Sequence, residues 1–292
     1  MDTSLGSLAG AVSWAASVQD EVGPHPFRAV RAVVVAAEHG IARRGVSADP
    51  PTATAARARE AASGEGVYAR LAAAAGAGLR VAAEGLPASG TLGDGPVLTP
   101  EQVTAAYELG RGLADAEADA GTDLVVPAIV GVGAGTAAAT LVAALTGSEP
   151  AAMTGRGGGI DDETWMRRCV AVRDGLRRAR GAGDDATALL AAAGGADLAA
   201  VTGLLVRCAE RRTPVLLDGV TVLACALLAR SRDGDAAAWW YAPHAGDDPA
   251  EREALRALRL TPAVRLGLHL GDGAGALAVL PLLQTALDLA AG

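Results

Sequence analysis

The sequence predicts an α/β protein, a parallel Rossmann-like sheet with helices on both faces, and three observations predict it. Short Val-rich apolar runs alternate along the chain with longer segments of helical period. Several runs stop abruptly at acidic or glycine-rich turns, as strands do when their carboxyl ends open onto a ligand crevice. The apolar content of 51% consists largely of Ala and Leu, with one Phe, so composition favours helix over strand.

The elements follow in order. Leu5 to Gln19 sets Leu5, Leu8, Val12 and Ala15 or Ala16 on one helical face, and Gly23-Pro24-His25-Pro26 ends it. Ala29 to Ala37 is a buried strand that stops at Glu38-His39-Gly40. Thr52 to Ala75 has helical character, and Leu79 to Ala83 is a second strand. Residues 84–98 form a Gly- and Pro-rich surface connection. Thr99-Pro100-Glu101-Gln102 supplies an N-cap, a first-turn proline and a capping-box Gln for a helix to about Ala120. Asp123 to Val130 is a third strand that empties into Gly131-Val132-Gly133-Ala134-Gly135-Thr136, and helix resumes over Ala137 to Leu145. Asp161-Asp162-Glu163 opens a helix to about Arg180, with acids and arginines placed to suit the dipole. Asp197 to Glu210 is helical. Pro214 to Leu217 is a strand ending at Asp218-Gly219, followed by a helix to Arg230. Ala238 to Ala242 is a last strand, and Glu251 to Leu258 and Ala274 to Leu289 are the closing helices. Residues 1–292 read as one domain, with the turns at 38–40, 131–136 and 218–219 around one crevice.

Charge and composition exclude several classes. A net charge of −8 offers no broad phosphate-attracting field, which argues against nucleic acid as a partner. Arg177-Arg178-Ala179-Arg180 reads as a solvated helix end. Cys169, Cys208 and Cys225 are scattered, which argues against a disulfide framework or a structural zinc, and each is expected to be a small buried apolar residue. No apolar run is expected to reach the roughly 18 residues of a membrane span. The nearest, Leu189–Val206, is broken by glycines and Asp197. Met1 to Trp14 has no basic segment of a signal peptide. The expectation is a soluble, cytoplasmic protein that binds neither membrane nor nucleic acid.

Two glycine clusters carry the chemistry. One is Gly131, Gly133 and Gly135 with Thr136; the other is Gly155-Arg156-Gly157-Gly158-Gly159. Each precedes a helix, where backbone N–H groups and the helix dipole suit an anion. Thr136 adds a hydroxyl and Arg156 a guanidinium. Each cluster is also what a turn requiring positive φ looks like. Neither is a P-loop, and the first lacks the acidic ribose partner of a dinucleotide fingerprint. Two in one α/β chain point to a nucleotide phosphate. Asp272, between Gly271 and Gly273, is either an N-cap or a carboxylate at the crevice mouth.

In this order the segments resemble the nicotinate-nucleotide–dimethylbenzimidazole phosphoribosyltransferase family, over nearly the whole chain. The resemblance is carried by Ser4-Leu5-Gly6-Ser7-Leu8, Glu38-His39-Gly40-Ile41, Gly45-Val46-Ser47, Thr146-Gly147 and Gly155-Arg156-Gly157-Gly158-Gly159. Pro214 to Gly219 and Leu270-Gly271-Asp272-Gly273-Ala274-Gly275 continue it. It implies transfer of a phosphoribosyl group from nicotinate mononucleotide to dimethylbenzimidazole or a similar base, with no metal or cofactor. It also implies a small helical lobe from about 1–25 and 274–292 beside a core of about 26–273, and a homodimer.

Residue by residue, the resemblance makes Asp272 the general base. It assigns the nucleotide to Gly131, Gly133, Gly135, Thr136, Gly155, Arg156, Gly157, Gly159, Arg168 and Asp218, and the base pocket to Glu38, His39, Ser47 and Leu270. Several positions depart from the family pattern. Asp272 stands where the family carries Glu, Ile129 where it carries an acid, Arg168 where it carries Lys, and His269 where it carries Arg. Ala134 and Gly135 replace an Asn and a Thr, and Asp49 replaces a Tyr. Of the family's His-Ser-x-Glu-Pro-Gly-His only His244, an acid and Pro249 remain. These departures fit an enzyme retuned for its substrates, or a non-catalytic paralogue that binds a nucleotide or cobamide intermediate. An open pocket at Asp272 favours the first, and a pocket filled by Ile129 the second.

From the residues alone, His39, Glu38, Ser47 and Asp218 are each either ligand contacts or local structural bonds. His269 reads as a core histidine, and Trp239-Trp240-Tyr241 as core or interface.

Overall fold

The computed structural model describes residues 3–19 and 23–291. Met1, Asp2, residues 20–22 and Gly292, which belong to the expected terminal lobe, lie outside the described residues. Five strands form one all-parallel sheet: β1 (Val30–Ala36), β2 (Gly78–Ala82), β3 (Leu124–Val130), β4 (Val215–Leu216) and β5 (Trp240–Tyr241), in the order β2-β1-β3-β4-β5. β1 and β3 pair along their full lengths, from Val30 opposite Leu124 to Ala36 opposite Val130. Their residues are Val-rich and almost wholly buried, as strands covered on both faces must be. Strand order reverses between β1 and β3, which puts a crevice at the carboxyl ends nearby.

The helices are α1 (Ala9–Val18), α2 (Ala53–Ala62), α3 (Gly66–Ala74), α4 (Pro100–Asp119), α5 (Ala134–Thr146) and α6 (Asp162–Ala179). They continue with α7 (Ala186–Ala193), α8 (Ala196–Glu210), α9 (Val220–Arg232), α10 (Pro249–Leu258) and α11 (Ala274–Ala291). Side chains alternate across the sheet. Val33, Val35, Val125 and Ile129 face a large core built with α4 to α10. Ala32, Val34, Val126 and Ala128 face a second core built with α1, α2, α3 and α11. The two chain ends come together: α1 packs on α11, and Trp14 of α1 stacks on Tyr241 with ring centroids 5.2 Å apart. They share the second core with the sheet.

Several expected boundaries shift. Thr52–Ala75 is two helices, broken at Ser63-Gly64-Glu65, where Gly64 and Gly66 take positive φ. The first helix starts only at Ala9, after a 3₁₀ turn from Thr3 to Leu8 kinked at Gly6. α7, capped by the Asp185 carboxylate accepting from the Ala188 N–H at 2.8 Å, is a short helix that the expected order of elements did not include. A small second sheet of β6 (His244–Ala245) and β7 (Val264–Arg265) was too short to leave a pattern. Cys208 and Cys225 are buried, whereas Cys169 is only partly covered. The expectation about apolar length is also corrected: α11 has 18 residues and a mean hydropathy of 1.6. Half of that length is buried, and Leu277, Leu280, Leu283 and Leu287 pack into the second core.

The expected capping box on α4 is present: Thr99 Oγ1 accepts from the Gln102 N–H, and Gln102 Oε1 from the Thr99 N–H. α4 lies against α8 at glycine contacts. A Cβ at Gly110 would overlap the Ala200 carbonyl, and one at Gly203 would overlap the Tyr107 carbonyl. Gly110→Ala is therefore expected to push the helices apart at a cost of about 3 kcal/mol, read as a lower urea midpoint. An unchanged midpoint would mean the helices do not touch there.

Glu117, fully buried on α4, receives Arg31 Nε at 3.0 Å, Thr122 Oγ1 at 2.9 Å and Arg80 Nε. Burial alone would raise its carboxyl, but the Arg80 and Thr122 bonds and the Arg31 charge hold it below the usual glutamate value. A depressed folded pKa stabilises fully above the unfolded value, near 4.3, and is lost as pH falls through the folded one. Glu117→Gln is thus expected to cost about 2–3 kcal/mol at pH 7, with the gap from wild type closing below about pH 4. A gap that stays constant with pH would remove Glu117 from the acid sensitivity of the fold.

Candidate active site

A cavity of about 490 Å³ opens at the carboxyl ends of β3 and β4. Its walls come from the loop into α5 (Gly131), the first turn of α5 (Gly135), the loop before α6 (Gly155, Gly157, Gly158) and Arg168 of α6. The turn after β4 (Asp218, Gly219), the segment from His244 to Glu251, the 268–272 loop, and Val67 and Tyr68 of α3 complete it. Ile129 lines the wall without filling the space, so the chamber stays open.

Asp272 faces this chamber. Its Oδ2 accepts from Thr221 Oγ1 at 2.5 Å, and its backbone carbonyl accepts from the Tyr68 hydroxyl at 3.2 Å. Burial, opposed by the Thr221 bond and reinforced by the charges of Asp218 and Asp248, pushes its carboxyl up to about 7. Gly219, at φ 87°, lies so close that a Cβ there would overlap the Asp272 carboxylate. The residue that follows Asp218 is therefore glycine for two reasons, its backbone and its neighbour.

Beside Asp272 lies a buried acidic wall. Asp218 Oδ1 sits 2.7 Å from His244 Nδ1, and Asp218 Oδ2 accepts from the Gly275 N–H at 2.8 Å. Glu251 Oε1 accepts from the Gly246 N–H at 2.7 Å. Asp248 caps α10, with Oδ1 accepting from the Ala250 N–H at 2.9 Å. Burial, with the nearby charges of Asp218, Asp272 and Asp248, pushes Glu251 up to about 7 against its bond from Gly246. Asp248 is raised by burial too. For His244 burial works against protonation, but the Asp218 bond and charge win and raise it. Ligand atoms of Asp218, His244 and Glu251 lie within 4.8 Å of one another, a donor set of types that also hold cations. Arg168 donates from Nε to the Val46 carbonyl at 3.0 Å and from Nη1 to the Gly155 carbonyl at 2.8 Å. Burial lowers its pKa, and the facing Asp248 partly offsets this.

Of the residues expected at the site, Gly131, Gly135, Gly155, Gly157, Arg168, Asp218, Leu270 and Asp272 line this cavity. Gly133, Thr136, Arg156, Gly159, Glu38, His39 and Ser47 lie outside its lining. α5 begins at Ala134, not Ala137, so Thr136 is turned into the core, 1% exposed, while Gly135 faces the chamber. Gly133 packs on Ile41 and His39. Arg156 folds outward, bonded to Asp162 at 2.6 Å and lying over the Trp165 ring, and Gly159 lies outside the cavity with it. Glu38 is exposed to solvent. His39 is buried behind the glycine loop, with Nε2 2.9 Å from Asp197 Oδ2, so the 38–40 turn does not border the chamber. Ser47 accepts the Asp49 N–H at 3.2 Å within its own loop. His269 is exposed on the cavity rim rather than in the core. Trp240 and Tyr241 are core residues.

Sequence reasoning left Tyr68, Asp248 and Glu251 out of the site. Asp248-Pro249 is a legible helix start, but nothing local says that this helix end points at Asp218. Tyr68 arrives from α3, far away in sequence, and has no signal at all.

A chamber at the carboxyl end of a parallel sheet, with glycine loops, a buried arginine and a carboxyl near 7, defines an α/β enzyme site. It suits a phosphorylated substrate and proton-transfer chemistry. A family model described as phosphoribosyltransferase matches residues 2–292. The nicotinate-nucleotide–dimethylbenzimidazole phosphoribosyltransferase of Mycobacterium ulcerans (strain Agy99) is 44% identical over 298 residues, covering 97% of this chain and 83% of that protein. The Streptomyces avermitilis protein of the same name is 44% identical over 306 residues, covering 99% of this chain and 82% of its own length. The crystal structure of CobT from Thermus thermophilus superposes with a TM-score of 0.93 at 32% identity, covering 100% of this chain and 92% of that one. The chain belongs to this phosphoribosyltransferase family, and it is an enzyme of the pentosyltransferase class.

Proposed function

We propose that this enzyme transfers the phosphoribosyl group of nicotinate mononucleotide to 5,6-dimethylbenzimidazole or a similar base, giving α-ribazole phosphate and nicotinate for cobalamin biosynthesis. The observation that carries this reading is Asp272, a carboxyl near 7 facing an open chamber beside glycine loops and Arg168. The loops at 131–135 and 155–157 with Arg168 receive the 5′-phosphate through backbone N–H groups and the guanidinium. An unprotonated nitrogen of the incoming base attacks C1′ in line with inversion. The C1′–N bond to nicotinate breaks, and its electron pair neutralises the pyridinium nitrogen. Asp272 takes the proton from the other nitrogen of the incoming base, which carries the positive charge. Val67, Tyr68, Leu268 and Leu270 give the mouth an apolar side for a flat aromatic base.

The same reading includes a cytoplasmic homodimer that works without membrane or nucleic acid. The acidic net charge supports the last point, and the burial of half of α11 supports a core role for that apolar helix. The test is nicotinate release from nicotinate mononucleotide by the purified protein. Release that requires dimethylbenzimidazole supports transfer. Release at the same rate without a base would make the protein a hydrolase instead.

A further inference from the structure

Hydrogen bonds tie the segment from Asp218 to Thr221 to the turn from Asp272 to Gly275. The Gly273 N–H donates to the Asp218 carbonyl at 3.1 Å, and the Gly275 N–H donates to Asp218 Oδ2 at 2.8 Å. The Tyr68 hydroxyl holds the same turn at the Asp272 carbonyl. All of these fix the backbone of the turn. Thr221 differs, because its Oγ1 donates at 2.5 Å to the carboxyl group of Asp272 itself.

The start of α9 explains why a threonine there serves a distant carboxyl. α9 begins at Val220, and its N-cap, Gly219, has no side chain with which to satisfy the first-turn donors. The Asp272 carboxyl reaches this helix end from the other segment, and negative charge is favoured there. The Thr221 hydroxyl and, more weakly, its backbone N–H both favour the ionised form. Thr221 is 1% exposed and does not line the chamber, so it acts on Asp272 rather than on substrate. Branching at Cβ restricts its χ1 and so fixes where the hydroxyl points. With Oδ2 engaged, Oδ1 lies against Gly219, which does line the chamber.

A carboxyl in this setting depends on such a donor. Asp218 after β4, Asp248 and Glu251 at the start of α10, Tyr68 of α3 and Cys225 of α9 all bear on it electrostatically. His244 of β6 is bonded to Asp218, and Arg168 of α6 lines the same chamber. Burial and the charges of Asp218 and Asp248 push Asp272 toward its protonated form, and Thr221 opposes them.

We propose that Thr221 is the positioning residue of the proton acceptor: its hydroxyl pins Oδ2 of Asp272 and aims Oδ1 at the incoming base. This rests on the phosphoribosyl-transfer reading and deepens it. As the N–H bond of the base breaks, its electron pair stays on nitrogen and the proton bonds to Oδ1, while the Thr221 hydroxyl keeps its own proton.

The experiment compares wild type, Thr221→Val and Thr221→Ser in two ways. NMR of aspartate carboxyl carbons follows the titration of Asp272 without substrate, its signal being the one absent from Asp272→Asn. Base-dependent nicotinate release gives kcat/KM against pH and kcat at the high-pH plateau. Valine keeps the shape of threonine and removes the hydroxyl. The titration and the inflection of the rate profile are both expected to move up by about one pH unit in that variant. Its plateau kcat is expected to fall about tenfold, with KM for nicotinate mononucleotide unchanged. Serine restores the hydroxyl and is expected to return both readings toward wild type. Wild-type behaviour of Thr221→Val overturns the assignment. So does a loss of rate that leaves the titration in place, or one that serine does not restore, since either makes Thr221 a packing residue. The titration is read without substrate, so it judges Thr221 independently, and base-dependent release by wild type judges the transfer reading.

Discussion

Asp272→Asn is expected to lower kcat by about 10²–10⁴-fold while nicotinate mononucleotide binds with wild-type affinity. The amide keeps the shape of the side chain and its contact with Thr221, but it cannot accept a proton from the incoming base. Placement of the nucleotide depends on other elements, so binding survives. The pH profile carries the same claim. Asp272 must be ionised to act, and its carboxyl is raised to about 7. Wild-type kcat/KM is therefore expected to climb about tenfold per pH unit below that value and to level off above it. Asp272→Asn should show a low profile without that step. A variant that retains the step would assign the titration to another group.

Gly219→Ala is expected to cost about 10–10²-fold in kcat through the same carboxylate. The added Cβ overlaps the Asp272 carboxylate, so the acceptor must move. A left-handed φ of 87° adds about 1–2 kcal/mol of strain for an L-residue. The modest loss of stability and the large loss of rate separate this from simple unfolding. In an Asp272→Asn background the substitution should cost little further rate, because both act on one group. Full additivity of the two losses would mean that Gly219 serves something other than Asp272.

The parallel sheet was legible because β1 and β3 are continuous Val-rich runs with no polar interruption except Arg31, and tertiary burial on both faces demands that pattern. The capping box at Thr99 was legible because its bonds are local. β6 and β7, with two residues each, carry too few side chains to show a period. Within the site, the glycine loops and Asp272 announced themselves by local composition. The facing of each side chain did not. Gly135 and Thr136 are neighbours, yet one lines the chamber and the other is buried, and only the start of α5 at Ala134 decides which. His39 was equally ambiguous until α8 brought Asp197 to it from 158 positions along the chain. Glu251 and Tyr68 join Asp272 through long-range packing that no local pattern encodes.

The most direct test incubates wild type and Asp272→Asn with nicotinate mononucleotide and dimethylbenzimidazole and follows both products by proton NMR. Wild type is expected to give equal amounts of nicotinate and a ribosyl-benzimidazole phosphate of α configuration, and the variant almost none over the same time. A wild type that binds the nucleotide yet forms no product, or a variant as fast as wild type, would contradict the role given to this chamber and to Asp272.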